Sequence, residues 1–344
     1  MKKDKYFAPL IFIWLGSQLP AWGFESIRFA RKNNKKRKIY LIINYKNKRN
    51  VNKNLNKIDI NVFHISLDNL KSSLTKAINL NKSNNFWLFT SLRFEVLNYF
   101  IKHKKMKSFY HAEIDNLIFN FEDLDKRLNN IGRGIFVPRD GKLRAIASFF
   151  YCNKAFCLDE LLSLYLEPFS AENDMHALGI YSNLSKDFYS LPTESYEFTK
   201  SMWKIIKPNM TEGLFDAAAI GQYCLGIDPR NNRYKPTYNL FENEYSKVNF
   251  KELKIVSDGF QLFLKSSEKE EFYKIYNIHV HSKDIKNGIA MINKDKIYES
   301  LIKKKKYLVA HRYKIIIGKI LMLQDIIILK IKKLIKFLFN AYNI

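Results

Sequence analysis

The chain of 344 residues is 47% hydrophobic and 15% aromatic, with a formal charge of +25. This composition excludes wholesale disorder and provides a core for one large α/β domain with additions, or for two ordinary domains. The charge is uneven, since residues 31–57 hold eleven Lys/Arg and no acid, and residues 301–344 hold eleven Lys/Arg and one acid, Asp325. Lys, Asn and Ile are all abundant, a bias that AT-rich coding produces, so part of the Lys excess is background. Basic ends suit an anionic membrane surface, nucleic acid or a plain solvated face. Cys152, Cys157 and Cys224 form neither a disulfide framework nor a zinc-spaced set and read as small buried hydrophobes, with the odd count favouring a reducing compartment.

In chain order, "PLIFIWLG" reads as a first core strand over 9–15, ending in a turn at Gly16-Ser17-Gln18-Leu19-Pro20. Its apolar run is short for a signal peptide and far too short for a membrane span. A helix is expected from about Trp22 to Asn33, then a strand over 38–44, a polar loop, a strand over 59–65 and a helix over 67–80. The stretch 86–104 is expected to begin extended and become helical, with Leu92, Val96, Leu97 and Phe100 on one face. "FYHAEIDNLIF" follows at 109–119. Strand and helix alternation predicts a mostly parallel sheet with helices on both faces and ligands beyond the carboxyl ends of the strands. After Phe121 the pattern changes to a hairpin turning at Pro138-Arg139-Asp140-Gly141, then helices near 155–166 and 196–206. A core of 1–300 followed by a tail of 301–344 is the expected division.

Three stretches carry chemistry. The stretch 109–119 reads as a buried strand, so His111, Glu113 and Asp115 share a face, with the carboxylates about 6.6 Å apart along the backbone. Apolar flanks place them in the interior, where bare carboxylates are costly and call for a cation, an Arg or Lys, or a solvated cleft. In "GLFDAAAIGQYCLGIDPRN", 213–231, Asp216 opens a run of small residues that permits either close ligand approach or a tightly packed helix capped by Asp216. In "YNIHVHSKD", 276–284, His279 and His281 share a strand face beside Lys283. Asp123 and Asp125 also invite a metal reading but fit a helix N-terminus better.

In order, these motifs, with "IFIWLG..LP" and "FWLFTSLRF", resemble bacterial GT-A-fold glycosyltransferases of cell-surface polysaccharide synthesis over roughly residues 8–285. The resemblance implies a GT-A-like mostly parallel sheet flanked by helices. It implies a nucleotide-sugar donor and a divalent ion, Mn²⁺ or Mg²⁺, on an acidic element at a strand end. That element would be Glu113-Ile114-Asp115, with Glu where the family usually has Asp. His281 would be the later metal ligand, with His279 second. Gly16, Ser17, Gln18 and Pro20 would line the nucleotide pocket, and Arg93 and Lys283 would meet phosphate. An inverting transfer would need a carboxylate base, for which Asp216 is the first choice and Asp174 in "AENDMHALG" the reserve. A retaining one would not.

Residues 314–340 segregate into an aliphatic face and a Lys-rich face, an amphipathic helix suited to anionic headgroups or to packing on the core. The combined expectation is a cytoplasmic, metal-dependent glycosyltransferase, peripheral on the inner face of the plasma membrane, acting on a glycan or lipid-linked acceptor. The alternatives are a metal-dependent phosphodiesterase or nuclease, and a basic nucleic-acid-binding protein without catalysis.

Overall fold

A computed structural model of the protein describes residues 7–55, 58–66, 85–141, 144–166, 168–193, 206–226, 253–258, 260–266 and 272–293. The expected helix at 67–80, all but the last residue of that at 196–206, the end of the 213–231 stretch and the tail at 301–344 lie outside these residues.

The main sheet begins with β1 (Leu10–Trp14), β2 (Ile39–Asn44), β3 (Asn61–Ile65) and β4 (Phe109–Ala112), which lie parallel in the order β3-β2-β1-β4. It continues through β8 (Phe149–Cys152), β6 (Ile135–Gly141) and β7 (Arg144–Ala145), joined by antiparallel ladders, with β9 (Phe188–Leu191) parallel to β6. Between β1 and β2 runs α1 (Ala21–Asn33), and α2 (Lys48–Leu55) follows β2 where a polar loop was expected. Val51 and Leu55 supply its buried face. The helix α3 (Asn85–His103) precedes β4 and is helical from its first residue, with no extended start. Its Leu92, Val96, Leu97 and Phe100 are all buried, the spacing of one helical stripe.

Both faces of this sheet are covered, so its central strands are nearly continuous hydrophobic runs. One face packs Ile11, Phe109 and Phe150 against α3, α5 (Phe156–Ser163) and α6 (Asp174–Leu184). The other packs Leu10, Phe12 and Tyr110 against α1 and α4 (Leu124–Ile131). This is the mixed, mostly parallel α/β arrangement that the alternation of elements led us to expect.

A smaller sheet, ordered β10-β13-β12-β11, comprises Gly213–Leu214, Phe272–Ile275, Leu262–Ser266 and Leu253–Ser257 respectively. A third pairing joins β5 (Asn116–Ile118) to β14 (Asn277–His279) in antiparallel register. The short helices α7 (Pro208–Thr211) and α8 (Ala219–Leu225) and the helix α9 (Ile285–Asn293) complete the described elements.

One further expectation is corrected and another is extended. Pro138–Gly141 is not a hairpin turn but lies within β6, where Pro138 pairs with Leu191 and the register toward β7 shifts between Arg139 and Gly141. Within the strand the Arg139 guanidinium donates to the Gly141 carbonyl (2.8 Å), and β7 pairs antiparallel with β6 beyond it. Asp125 does stand in the first turn of α4, but its carboxylate also forms a buried ion pair with Arg37 (2.5 Å) and accepts from the Ala8 N–H (3.0 Å). Arg37 lies over the Phe121 ring at 4.1 Å, so this pair ties the N-terminal strand to α4.

Candidate metal centre

The stretch 109–119 is two strands with a turn between them. β4 ends at Ala112, Ile114 and Asp115 turn, and β5 begins at Asn116 in another sheet. Alternation therefore stops before the carboxylates, and His111 is separated from them. His111 is fully buried with its Nδ1 3.0 Å from the Ile11 carbonyl oxygen, and its ring packs on Phe150. Burial, helped by Arg93, pushes its pKa well below the ordinary imidazole value, so it is a neutral core side chain.

The turn is fixed from its backbone. The Glu113 N–H donates to the Ser148 carbonyl (2.8 Å), and the Val280 N–H donates to the Asp115 carbonyl (2.8 Å). Asn116 is locked to Ser148 (2.9 Å) and Asn277 (2.8 Å), all within the interior. Phe12 pairs with Ala112, so this turn leaves the sheet at the same edge as the Gly16–Pro20 loop after β1.

The β5–β14 register sets His279 opposite Asn116, one residue beyond Asp115. His279 Nε2 lies 3.2 Å from Glu113 Oε2 and 3.4 Å from Asp115 Oδ2. One donor atom from each of Glu113, Asp115 and His279 lies within 4.8 Å of the others. Two hard oxygens and an imidazole nitrogen suit Mn²⁺ or Mg²⁺. The sequence ranked His281 ahead of His279, and the geometry reverses that order. β14 ends at His279, so the two rings do not simply repeat along one strand. The His281 ring packs against that of His279 at 4.1 Å. Its Nε2 is buried with no hydrogen-bond partner among the described residues, as is Nδ1 of His279. Burial, then His279, push the His281 pKa well below its ordinary value.

Cations surround the acids. Arg93 on α3 bridges Glu113 (2.6 Å) and Asp174 at the start of α6 (2.5 Å). Lys283 pairs with Asp115 from a left-handed turn at φ 62°. Burial alone would raise the Asp115 pKa, but Lys283 and His279 hold it well below the usual carboxylate range. Burial opposes a charged His279, yet Asp115 and Glu113 raise its pKa overall. Asp174 is raised by burial, which outweighs Arg93. Three acids thus face Arg93, Lys283 and the His279 imidazole, and a divalent ion held here would take the place of a proton on His279 and compete with Lys283 for Asp115.

Asp216 stands apart in role. It is fully buried, and its two oxygens accept N–H bonds from Ala218 (2.7 Å), Ile220 (3.1 Å), Gly221 (2.8 Å) and His279 (2.8 Å). Four donors leave it no face for an acceptor hydroxyl, which corrects its choice as the base and matches the capped-helix alternative. It instead fixes the backbone of His279. Asp174 keeps one buried oxygen, Oδ1, without a partner among the described residues.

In the β1–α1 turn, Ser17 and Gln18 are exposed and Gly16 and Pro20 half-buried. The Trp14 Nε1 donates to the Gln18 carbonyl (2.9 Å), and Trp14 meets Trp22 edge-on at 6.0 Å. The Lys283 ammonium lies 5.8 Å from the centre of the Trp22 ring, linking this turn to the acidic cluster. Sequence reasoning gave Trp22 no role, although two Trp flanking a Gly-Ser-Gln turn was the available signal. It also missed Ser148 and Asn277, whose part appears only through long-range pairing.

No protein-family model matches the chain, and no curated protein matches it in sequence. Among solved structures, mouse xyloside xylosyltransferase 1 in its apo form is similar over 54% of this chain and 86% of its own, at 9% identity and a TM-score of 0.39. The galactosyltransferase LgtC, solved with donor and acceptor sugar analogs, is similar over 56% of this chain and 78% of its own, at 11% identity and a TM-score of 0.40. A cytidylyltransferase from Leptospira borgpetersenii is similar over 54% of this chain and 76% of its own, at 13% identity and a TM-score of 0.36. At these values the likeness assigns neither a reaction nor a residue role to this chain.

Proposed function

We propose that the protein is a metal-dependent glycosyltransferase, moving a sugar from a nucleotide-sugar donor to a cell-surface glycan or lipid-linked acceptor. The observation that carries this reading is the convergence of Glu113, Asp115 and His279, with Arg93 and Lys283, at the carboxyl edge of the parallel strands. Glu113, Asp115 and His279 would hold Mn²⁺ or Mg²⁺, with His281 adjacent. When bound, such an ion neutralises the charge that grows on a departing nucleoside diphosphate.

The chain's own groups have distinct tasks in this scheme. Arg93 orients Glu113 and fixes it to α6 through Asp174. Lys283 exchanges Asp115 for a phosphate oxygen. Gly16, Ser17, Gln18 and Pro20 line the nucleotide, and Trp22 shields Lys283 from solvent. An inverting transfer would draw its base from Asp174, since the oxygens of Asp216 are engaged by backbone N–H groups. A retaining transfer needs no such base. Residues 301–344, basic and aliphatic in sequence, would rest on an anionic membrane, and the protein would then sit on the inner face of the plasma membrane beside a lipid-linked acceptor. Among the described residues no helix is long and apolar enough to cross a membrane.

The test is a thermal-shift panel of UDP- and GDP-sugars with and without Mn²⁺ or Mg²⁺. A stabilising shift that needs both sugar nucleotide and ion, and that Asp115→Ala abolishes, supports the reading. Metal-dependent phosphate-ester cleavage without any sugar donor would favour a phosphodiesterase instead.

A further inference from the structure

A second donor cluster lies away from the acidic centre and takes no part in the proposed transfer. Cys152 is the last residue of β8, and Cys157 stands in the first turn of α5. Glu160 follows Cys157 by three residues on the same helix, so both side chains occupy one face. Asp187 arrives from the segment before β9. The Cys157 sulfur and one carboxylate oxygen from each of Glu160 and Asp187 lie within 4.8 Å of one another. The Cys152 thiol donates to the Lys154 carbonyl (3.3 Å). Both cysteines are fully buried, while Glu160 and Asp187 are half-buried and open a route from solvent.

The charges around this cluster are unbalanced. Tyr181 on α6 donates to Glu160 (2.6 Å), and Lys154 pairs with Asp187. No other cation is bonded to these acids among the described residues. One carboxylate oxygen of each of Glu160 and Asp187 stands close enough to the Cys157 sulfur to repel a thiolate there. A plain dithiol switch has no use for two acids that oppose ionisation. A dication makes the same three groups mutually favourable.

From this geometry we infer that Cys157, Glu160 and Asp187 form a second metal site for a thiophilic divalent ion such as Zn²⁺. The sulfur donor separates it chemically from the oxygen and nitrogen set of Glu113, Asp115 and His279. On binding, the Cys157 thiol proton would pass to solvent and the half-exposed Lys154 ammonium would turn away from Asp187. The ion would join the end of β8, α5 and the lead into β9, with α6 held through Tyr181.

Cobalt(II) titration of the full-length reduced protein tests this, because a thiolate-to-cobalt charge-transfer band can arise only from cysteine ligation. The inference does not rest on the proposed transfer reaction, and Asp115→Asn separates the two sites. We expect one equivalent of cobalt to raise the band in both the wild type and Asp115→Asn. We expect Zn²⁺ to quench it, Cys157→Ser to abolish it, and Glu160→Gln or Asp187→Asn to weaken binding at least tenfold. Should Cys157→Ser fail to fold, the two carboxylate variants carry the test. Absence of the band in the reduced wild type, its persistence in Cys157→Ser, or unchanged affinity in both carboxylate variants would overturn the inference.

Discussion

Two histidines separated by one residue, His279 and His281, lie within ring contact of each other, yet only His279 is within reach of both Glu113 and Asp115. The difference comes from β14 stopping at His279, a boundary set by its pairing with β5. His279→Ala should therefore lower Mn²⁺ affinity at least tenfold in calorimetry, and His281→Ala should lower it much less. Arg93 bridges Glu113 and Asp174 through its two terminal nitrogens. A lysine cannot span both, so Arg93→Lys should behave like Arg93→Ala, each costing about 10–100-fold in metal affinity. At this scale the sequence was informative about the acids and less so about their partners. Glu113 and Asp115 stand out because charged groups interrupt an apolar run. The preference for His279 cannot be read locally, because it depends on pairing between segments about 160 residues apart, whereas three of the four donors to Asp216 lie within five residues of it and only His279 is distant.

Among the elements, α8 is the one whose packing most directly sets the site. Its Gly221 faces β14 so closely that an added Cβ would lie 1.9 Å from the His279 carbonyl oxygen. Gly221→Ala must push α8 and β14 apart, with an expected loss of about 3 kcal/mol and weaker metal binding, read by thermal unfolding and calorimetry together. Asp216→Ala strands four backbone N–H groups in the interior, one of them belonging to His279. It should cost roughly 3 kcal/mol, so unfolding at a lower denaturant concentration accompanies any loss of activity. A catalytic defect with undiminished stability would contradict this. The Arg37–Asp125 pair is a further case, since Asp125→Ala leaves a buried guanidinium unpaired and should cost about 3–5 kcal/mol. Strongly periodic elements such as α3 and the first two strands were legible from their apolar spacing. The division of 109–119 into β4, turn and β5 was not, because both halves are apolar and only the change of sheet distinguishes them from one strand.

For the molecule as a whole, the parallel strands gather the β1–α1 turn and the acidic turn at one edge, and the small pairing of β5 with β14 brings residues near 280 to the same place. The general α/β layout follows from alternating periodicities. The four-stranded sheet of β10 to β13 is not legible in the sequence because its strands are short, β10 lies some distance before the other three, and their apolar side chains form a cluster apart from the main core. The uneven charge leads to a prediction for the intact chain. A chain ending near residue 300 should lose binding to anionic vesicles that the full chain retains, and equal sedimentation of both with those vesicles would contradict a membrane role for residues 301–344. The central claim is tested most directly by crystals soaked with Mn²⁺ and a nucleoside diphosphate, with the ion located by its anomalous scattering. The account predicts one strong peak bonded to Glu113, Asp115 and His279, with the diphosphate beside Lys283. Mn²⁺ bound elsewhere, with Lys283 still seated on Asp115 and no density for the nucleotide, would contradict it.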